Sequence, residues 1–446
     1  MAPPLNPVPS DPDLPASTQV VIIGGGIIGV CTALFLARKG IPVVLCEKGV
    51  IAGEQSSRNW GWCRTMARDA LELPLAQEAL RLWTDMNAMV GGETGFRRSG
   101  IAYLCRTPKE LERRQLWLEQ VGMPAQVDTR LITRDQAARL LPGLSGAWAG
   151  AMVTPSDGRA EPGMAGPAIA LAARAAGAVI MTGCAVRGVE TSGGRISGVV
   201  TEKGRIACQA VVLAGGVWSR LFCRPMGVRL PQLKILSAVM RTEPLQGGPE
   251  MSASGDRFGF RKRLDGGYTL ASWTGNVADV VPDSFRFAWD FLPALMQRGG
   301  EVRVRLGRRF LMEAFQRGRW PLDKRSPFEA VRTLDPPVLK HILKQARTHV
   351  VKAFPVFHTM RVVESWGGMI DVTPDGIPVI SGVENVPGFF IATGFSGHGF
   401  GIAPGAGRLM SEIVLGETPV VDPKPFRYNR FIDGTRPRPS PLARAQ

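Results

Sequence analysis

A strand, a glycine turn and a helix follow one another directly near the start of this chain. Val20-Val21-Ile22-Ile23 leads into Gly24-Gly25-Gly26-Ile27-Ile28-Gly29 and then Val30 to Lys39, and Glu47 closes a second apolar run from Ile41 to Cys46. Each part has a mechanical task in holding a dinucleotide. Gly24 permits the tight turn, Gly26 admits the backbone close to a pyrophosphate, and Gly29 lets the helix lie close on the strand. The helix N-terminus turns unpaired N–H groups and a positive dipole end toward phosphate, and Glu47 stands where a carboxylate accepts ribose hydroxyls. The uncharged run Val20 to Ala37 is also long enough to resemble a membrane span. Three consecutive glycines are poor in a helix interior, and the pattern switches midway from β-branched strand to Ala/Leu helix, so the strand-turn-helix reading stands.

The 446 residues make two domains or one large interleaved unit with a sizeable core. Met1 to Thr18 is proline-rich, lacks a basic or apolar signal region, and reads as a loose leader. Seven scattered cysteines with no CxxC spacing indicate a reducing compartment, the cytoplasm. His341, His349, His358 and His398 are the only histidines, little material for a zinc site or a Ser-His-Asp triad. The net charge of +16 is concentrated in Phe285 to Pro355, where 15 Lys and Arg face 6 Asp and Glu. That segment reads as helices carrying Arg303, Arg305, Arg308, Arg309, Arg317 and Arg319. It is either a solvated face or a contact for an acidic protein or the inner face of a membrane. Nucleic acid is not indicated, since no recognition motif accompanies the charge.

Further along, helical patterns cover Leu73 to Met89, Pro108 to Val121, Thr133 to Leu141 and Gly163 to Ala176. Strands are expected at Gly100 to Cys105, Val179 to Thr182, Val186 to Glu190, Arg195 to Thr201 and Cys208 to Leu213. Strand Phe389 to Thr393, a glycine-rich turn from Gly394 to Gly401 and a helix from Ile402 to Leu415 then repeat the dinucleotide pattern near the end. The expected architecture is α/β, a Rossmann-like cofactor domain of residues 19–90, 150–220 and 356–432. Residues 91–149 and 221–355 form an inserted α+β substrate domain with a large mixed or antiparallel sheet. The tail 433–446 is Pro/Arg-rich and expected to be disordered.

Four stretches together carry a resemblance: Val21 to Gly29 with Glu47; Ser56-Ser57-Arg58-Asn59-Trp60-Gly61; Val211 to Ser219; and Thr373-Pro374-Asp375-Gly376 with the Gly394 to Gly401 turn. From Gln19 to Phe431 the chain resembles the FAD-dependent D-amino-acid, sarcosine and glycine oxidoreductase family. The resemblance implies FAD held at Gly24, Gly26, Ile27, Ile28 and Gly29, with the adenosine ribose at Glu47 and adenine against the backbone of Val186. Lys48, Ser56, Ser57, Asn59, Gly61, Gly215 and Trp218 complete the cofactor set. Gly394, Phe395, Ser396, Gly397, His398, Gly399, Phe400 and Gly401 would lie against the isoalloxazine, with the helix N-terminus near its pyrimidine edge. Some members attach FAD through a Cys ahead of the Thr-Pro-Asp-Gly stretch. Glu364 to Asp371 has none, so FAD is expected to be non-covalent. A single complete GxGxxG further suggests that an organic substrate, not a nicotinamide, reduces the flavin.

The resemblance implies oxidation of the C–N bond of an amino acid or a secondary or conjugated amine, by hydride transfer to flavin, with oxygen or a membrane quinone as acceptor. Relatives that oxidise D-amino acids or glycine place a carboxylate-gripping Arg just before Thr-Pro-Asp-Gly. Here Ile370 and Asp371 occupy that place. Candidate catalytic residues are therefore Arg64, Arg261, Asp371 and His398: the arginines for a carboxylate, Asp371 for a cationic group, His398 for assistance at the flavin. Asp371 read as a turn cap, and the arginines as ion-pair partners, are the plainer alternatives. Lys234 and Lys262 are candidates for a lysine near flavin, and Trp60, Trp62 and Trp366 for an aromatic wall. A 2-hydroxy-acid dehydrogenase of the same fold and a non-catalytic flavin-bearing assembly factor remain open alternatives.

Overall fold

The computed structural model describes residues 3–298, 302–435, 437–440 and 442. Its first sheet is six-stranded, in the order Val379–Gly382, Phe389–Thr393, Ala210–Leu213, Val20–Ile23, Val43–Cys46, Val179–Met181. Neighbours run parallel except Val379–Gly382, which pairs antiparallel at the edge. Val20–Ile23 is buried on both faces, as its continuous β-branched run requires of a central parallel strand. Helices Ile27–Arg38, Pro162–Ala175 and Gly399–Leu415 share one core with the strands. An antiparallel sheet of Val186–Ser192, Arg195–Thr201 and Arg205–Ala207 joins a second core with them. At Gly29 a Cβ would sit 2.0 Å from the Gly24 carbonyl oxygen, so only glycine lets the first helix cross this close to its strand.

The second sheet is ten-stranded and mixed. Its spine is Leu233–Thr242, antiparallel to Tyr268–Ala271, Asn276–Val280 and the long strand Val362–Val372. Side chains on the spine alternate. Leu236, Ala238 and Met240 share a core with Ile342, Leu343, Ala346 and Val350 of helix Lys340–Ala353. Ile235, Ser237 and Val239 line the central cavity. A period of two thus gives one strand a packing face and a site face.

Several expectations are corrected. Gly150–Thr154 and Val362–Val372, assigned from sequence to the cofactor unit, pair within the large sheet. The leader is not loose over its described residues. Asn6 N–H donates to the Gly163 carbonyl at 3.0 Å, Thr18 N–H to Ala207 at 2.9 Å, and Asp11 receives the Ile180 N–H at 2.6 Å and pairs with Arg174 at 3.0 Å. Arg303 and Arg305 lie on the edge strand Val302–Leu306, because Val-Arg-Val-Arg-Leu alternates with period two. Arg308 and Arg309 open a short helix, Arg308–Ala314, while Arg317 and Arg319 lie in irregular chain. The last helix begins at Gly399, so part of the glycine turn is helical. Of the tail expected to be disordered, 436, 441 and 443–446 lie outside the described residues; Asp433 and Thr435 bond Arg427, and Pro439 is buried.

Candidate active site

Both sheets face one cavity of about 810 Å³. At its cofactor end, Gly26, Ile27 and Ile28 line the wall at the start of the first helix, which has no side-chain cap. The N–H groups of a first helical turn lack intrahelical partners. Here Ile27 N–H donates to Ser56 Oγ at 2.8 Å. A Cβ at Gly26 would meet Ser56 Oγ at 3.2 Å, with no other atom within 4 Å, so the glycine leaves room for a ligand against bare backbone. Glu47 receives the Gly25 N–H on Oε2 and the Gly49 N–H on Oε1, both at 2.7 Å. Burial pushes its carboxyl up while those two bonds oppose the shift. They also aim the carboxylate, leaving each oxygen lone-pair capacity for a hydroxyl donor. Bare N–H groups, an open glycine and an aimed acid fit the diphosphate and ribose of FAD.

Of the residues expected to hold the cofactor, all line this cavity except Gly29, Ser57 and Gly394. Gly29 is at the helix–strand contact. The Ser57 hydroxyl turns back to the Glu54 carbonyl at 3.2 Å, and Gly394 serves the turn described below. Lys48 bonds Glu54 at 2.6 Å and the carbonyls of Val331 and Arg332, with its ammonium 4.4 Å from the Trp218 ring centroid. Trp218 Nε1 also donates to Glu54, at 2.9 Å. Glu54 therefore ties Lys48, Trp218 and the Leu334 N–H together, a node that no motif in the sequence marked.

Asp371 lines the cavity, but one oxygen of its carboxylate is taken up inside the protein. Its Oδ2 accepts the Gly394 N–H at 2.7 Å, Gln232 Nε2 at 3.0 Å and Thr393 Oγ1 at 3.2 Å, and clamps the glycine turn onto the sheet. Burial raises its pKa against the pull of those donors. Arg261 is likewise corrected. It is 1 % exposed, grips Glu161 through two bonds of 2.7 and 2.8 Å, and donates Nε to the Trp60 carbonyl. All three nitrogens of that guanidinium are engaged, and Arg261 is not among the cavity-lining residues. Lys262 pairs with Glu250, and Lys234 lines the cavity but meets Glu313 at 3.1 Å. Trp366 is buried with its Nε1 on the Arg58 carbonyl, whereas Trp60 and Trp62 line the cavity, edge to face at 5.2 Å.

Arg64 differs from every other buried or half-buried cation in the wall. Lys48, Arg58, Arg68, Arg220, Lys234 and Arg309 each have a carboxylate within 4.0 Å. Arg64, only 8 % exposed, has none among the described residues and donates only to the Met66 carbonyl. Its guanidinium stands 5.9 Å from the Tyr103 ring centroid, and that of Arg114 stands 5.0 Å away. A buried cation without an anion is costly unless a ligand completes it.

His398, at the N-cap of the last helix, also lines the cavity and keeps 19 % of its side chain exposed. Its Nδ1 lies 3.4 Å from Glu72 Oε2, which meets Arg68 at 3.3 Å. Burial holds His398 down to about 4 although Glu72 opposes it, so the imidazole is neutral at pH 7. Burial alone would raise Glu72; Arg68 and His398 bring it down to about 2.

A family model described as FAD dependent oxidoreductase matches residues 19–413. The chain belongs to that family. This FAD dependent oxidoreductase superposes on the L-amino acid deaminase from Proteus myxofaciens, solved in complex with anthranilate, with a TM-score of 0.92 and 36 % identity over 96 % of each chain. The 4-methylaminobutanoate oxidase (formaldehyde-forming) of Paenarthrobacter nicotinovorans is 26 % identical over 94 % of the chain, which spans 46 % of that relative's length. The glycine oxidase of Geobacillus kaustophilus is 25 % identical, over 93 % of the chain and 97 % of its own length. The oxidoreductase is thus an FAD enzyme of the amino acid and amine oxidising kind.

Proposed function

We propose that the chain oxidises the C–N bond of an α-amino acid of L configuration, releasing a 2-oxo acid and ammonia. The unpaired Arg64 carries this reading. A buried guanidinium with no carboxylate within 4.0 Å among the described residues, although the charges of Glu72 and Asp157 lie farther off, suits a ligand with a carboxylate, and the cavity-lining tryptophans suit an apolar body. FAD supplies the two-electron acceptor for the hydride from the carbon bearing nitrogen. Arg64 would hold the carboxylate, and Trp60 and Trp62 would exclude water and flank the side chain, so orientation does most of the work. The N-terminus of helix Gly399–Leu415, which lines the cavity behind the Asp371-held turn, would offer a positive dipole end to negative charge on a bound flavin. The imine product hydrolyses in water. The likeness to L-amino acid deaminase at 36 % identity supports the L configuration.

A 2-hydroxy acid would satisfy Arg64 equally, but its hydroxyl proton needs a base. His398, at about 4, is a weak one, and Asp371 is committed to its turn. An amine arriving neutral needs neither. Anaerobic flavin bleaching tests the reading, with L- and D-amino acids, N-alkyl amino acids, polyamines and 2-hydroxy acids. Bleaching by L-amino acids is expected. Bleaching by 2-hydroxy acids or polyamines alone overturns it, and bound FAD that nothing bleaches favours the assembly factor.

For the acceptor, we infer a membrane quinone reached from a peripherally bound enzyme. Trp289, Met296 and Phe315 are 85 %, 81 % and 82 % exposed, and the same stretch of chain carries the exposed Arg303, Arg308, Arg317 and Arg319. Those arginines have no acid within 4.0 Å among the described residues. Exposed apolar and basic residues alternating along one segment suit an anionic lipid interface better than an acidic protein. Among the described residues no helix is long and apolar enough to cross a membrane. Sedimentation with phosphatidylglycerol vesicles, abolished by Trp289→Asp with Phe315→Asp, is expected; an equal pellet for the variant refutes it.

A further inference from the structure

The chain leaves strand Trp62–Cys63 at Arg64 and turns back at once. That strand pairs antiparallel with Gly158–Arg159, Cys63 opposite Gly158, so the register sets Asp157 beside the start of the turn. Asp157 is fully buried. Its Oδ1 accepts the Thr65 N–H at 2.7 Å and the Thr65 hydroxyl at 2.9 Å, and its Oδ2 accepts the Met66 N–H at 3.3 Å. Its own carbonyl takes the Gly100 N–H at 2.8 Å, which ties the acid to the start of the large-sheet strand Ile101–Cys105. Ala67 follows with φ +55°, a left-handed conformation that a residue with a Cβ keeps only where its surroundings hold it. The Arg64 guanidinium folds back over this turn to donate to the Met66 carbonyl. The peptide groups of Met66 are thus held on one side by Asp157 and on the other by Arg64.

An acid this near an unpaired guanidinium could have closed it off, as Glu161 closes off Arg261. Asp157 does not. No carboxylate stands within 4.0 Å of Arg64 among the described residues, and the Asp157 oxygens meet two backbone N–H groups and a hydroxyl instead. A carboxylate suits that task, because two acceptor oxygens can take three donors where an amide has one acceptor oxygen. We infer that Asp157 is a positioning residue for substrate binding, fixing the 64–68 turn so that the Arg64 guanidinium stays in the cavity wall free of an internal acid partner. The inference rests on the reading of Arg64 as the group that holds the substrate carboxylate. No motif marked Asp157, which lies 92 positions from the Thr65 it holds.

The test uses the full-length FAD-loaded enzyme at pH 8, where the Asp157 carboxyl, pushed up to about 6 by burial, is ionised. Benzoate, a carboxylate on an apolar body, is titrated against the flavin absorption band, with benzamide as its uncharged counterpart. Asp157→Ala is expected to weaken benzoate binding and raise KM for the amino acid about thirtyfold, with benzamide binding and kcat within about threefold of native and FAD content unchanged. Asp157→Asn, which keeps one acceptor oxygen, is expected to lose about fivefold. Added to Arg64→Met, either variant is expected to cost less than about twofold more, since the acid acts through the arginine. Losses that multiply in the double variants, or that are equal for benzoate and benzamide, overturn the inference by making Asp157 a general fold element. Should Asp157→Ala fail to fold, Asp157→Asn decides, and an unchanged benzoate affinity for it overturns the inference. Arg64→Met with unchanged benzoate affinity refutes the reading of Arg64 itself. Weakening by Arg64→Met but by neither Asp157 variant refutes only the positioning role.

Discussion

The two ends of the cavity are built by opposite means. At the cofactor end the recognising groups are mostly backbone: N–H groups at a helix start, glycines that keep side chains away, and one acid aimed by two N–H donors. At the substrate end they are side chains, and their availability depends on which neighbours already occupy them. Arg261 and Arg64 make the contrast plain. Both are buried, but Arg261 is closed off by Glu161 while Arg64 has no carboxylate within 4.0 Å among the described residues. A backbone site is specified by where the chain turns; a side-chain site is specified by what is left unpaired.

The strongest way to break this contrast is at the backbone end. Gly29→Val places a side chain where a Cβ is already 2.0 Å from the Gly24 carbonyl oxygen. It is expected to destabilise the fold by at least about 3 kcal/mol and to abolish FAD retention, read from thermal unfolding and flavin absorbance. A stable, yellow variant would mean that the helix can cross elsewhere.

At the substrate end, Arg64→Met is expected to lower kcat/KM about a thousandfold, near 4 kcal/mol of transition-state binding, with full FAD content. Because Arg64 has no acid partner among the described residues, its removal orphans no carboxylate, and Tm is expected to hold or rise. Arg261→Met is expected to behave inversely. It leaves the buried Glu161 with only Arg263 at 3.8 Å and the Leu264 N–H at 2.9 Å, and costs about 3 kcal/mol of stability, which Arg261→Met with Glu161→Leu largely restores. If instead Arg261→Met left Tm unchanged and raised KM, the assignments of the two arginines would be exchanged.

The smallest effect concerns pH. His398 ionises at about 4 in the folded state, against its ordinary 6.5. The unfolded chain therefore takes up this proton first, and the contribution to stability, whole above pH 6.5, is lost as pH falls toward 4, by about 2 kcal/mol. His398→Asn is expected to remove that loss. Asp157, whose carboxyl burial pushes up to about 6, then tilts the profile the other way, since the folded state binds its proton more readily below pH 6. If His398→Asn and the native chain showed the same change of Tm between pH 4 and 6.5, the His398 imidazole would be in solvent.

Much of the cofactor half was legible because its determinants are local. Within the 29 residues from Gln19 to Glu47, the spacing of glycines and the change of hydrophobic period already require a strand, a turn, a helix and an acid. The closing strand Phe389–Thr393 and its turn were visible for the same reason. The basic segment was misread as helical although Val302 to Leu306 alternates, since charge density drew attention from period. Val362–Val372 was not read as a strand and was grouped with the cofactor unit, because nothing in its sequence names its partner, Leu233–Thr242.

By itself the sequence marked the strand, glycine turn, helix and acid that suit a dinucleotide, and pointed to an FAD family. Only the tertiary structure decided which charges are free. Glu161 lies a hundred positions from Arg261, Gln232 lies far from Asp371, and Arg64 is distinguished by a partner it lacks. Pairing of buried charges is a property of three-dimensional neighbours, because the energy of an ion depends on the few ångströms around it and hardly at all on distance along the chain.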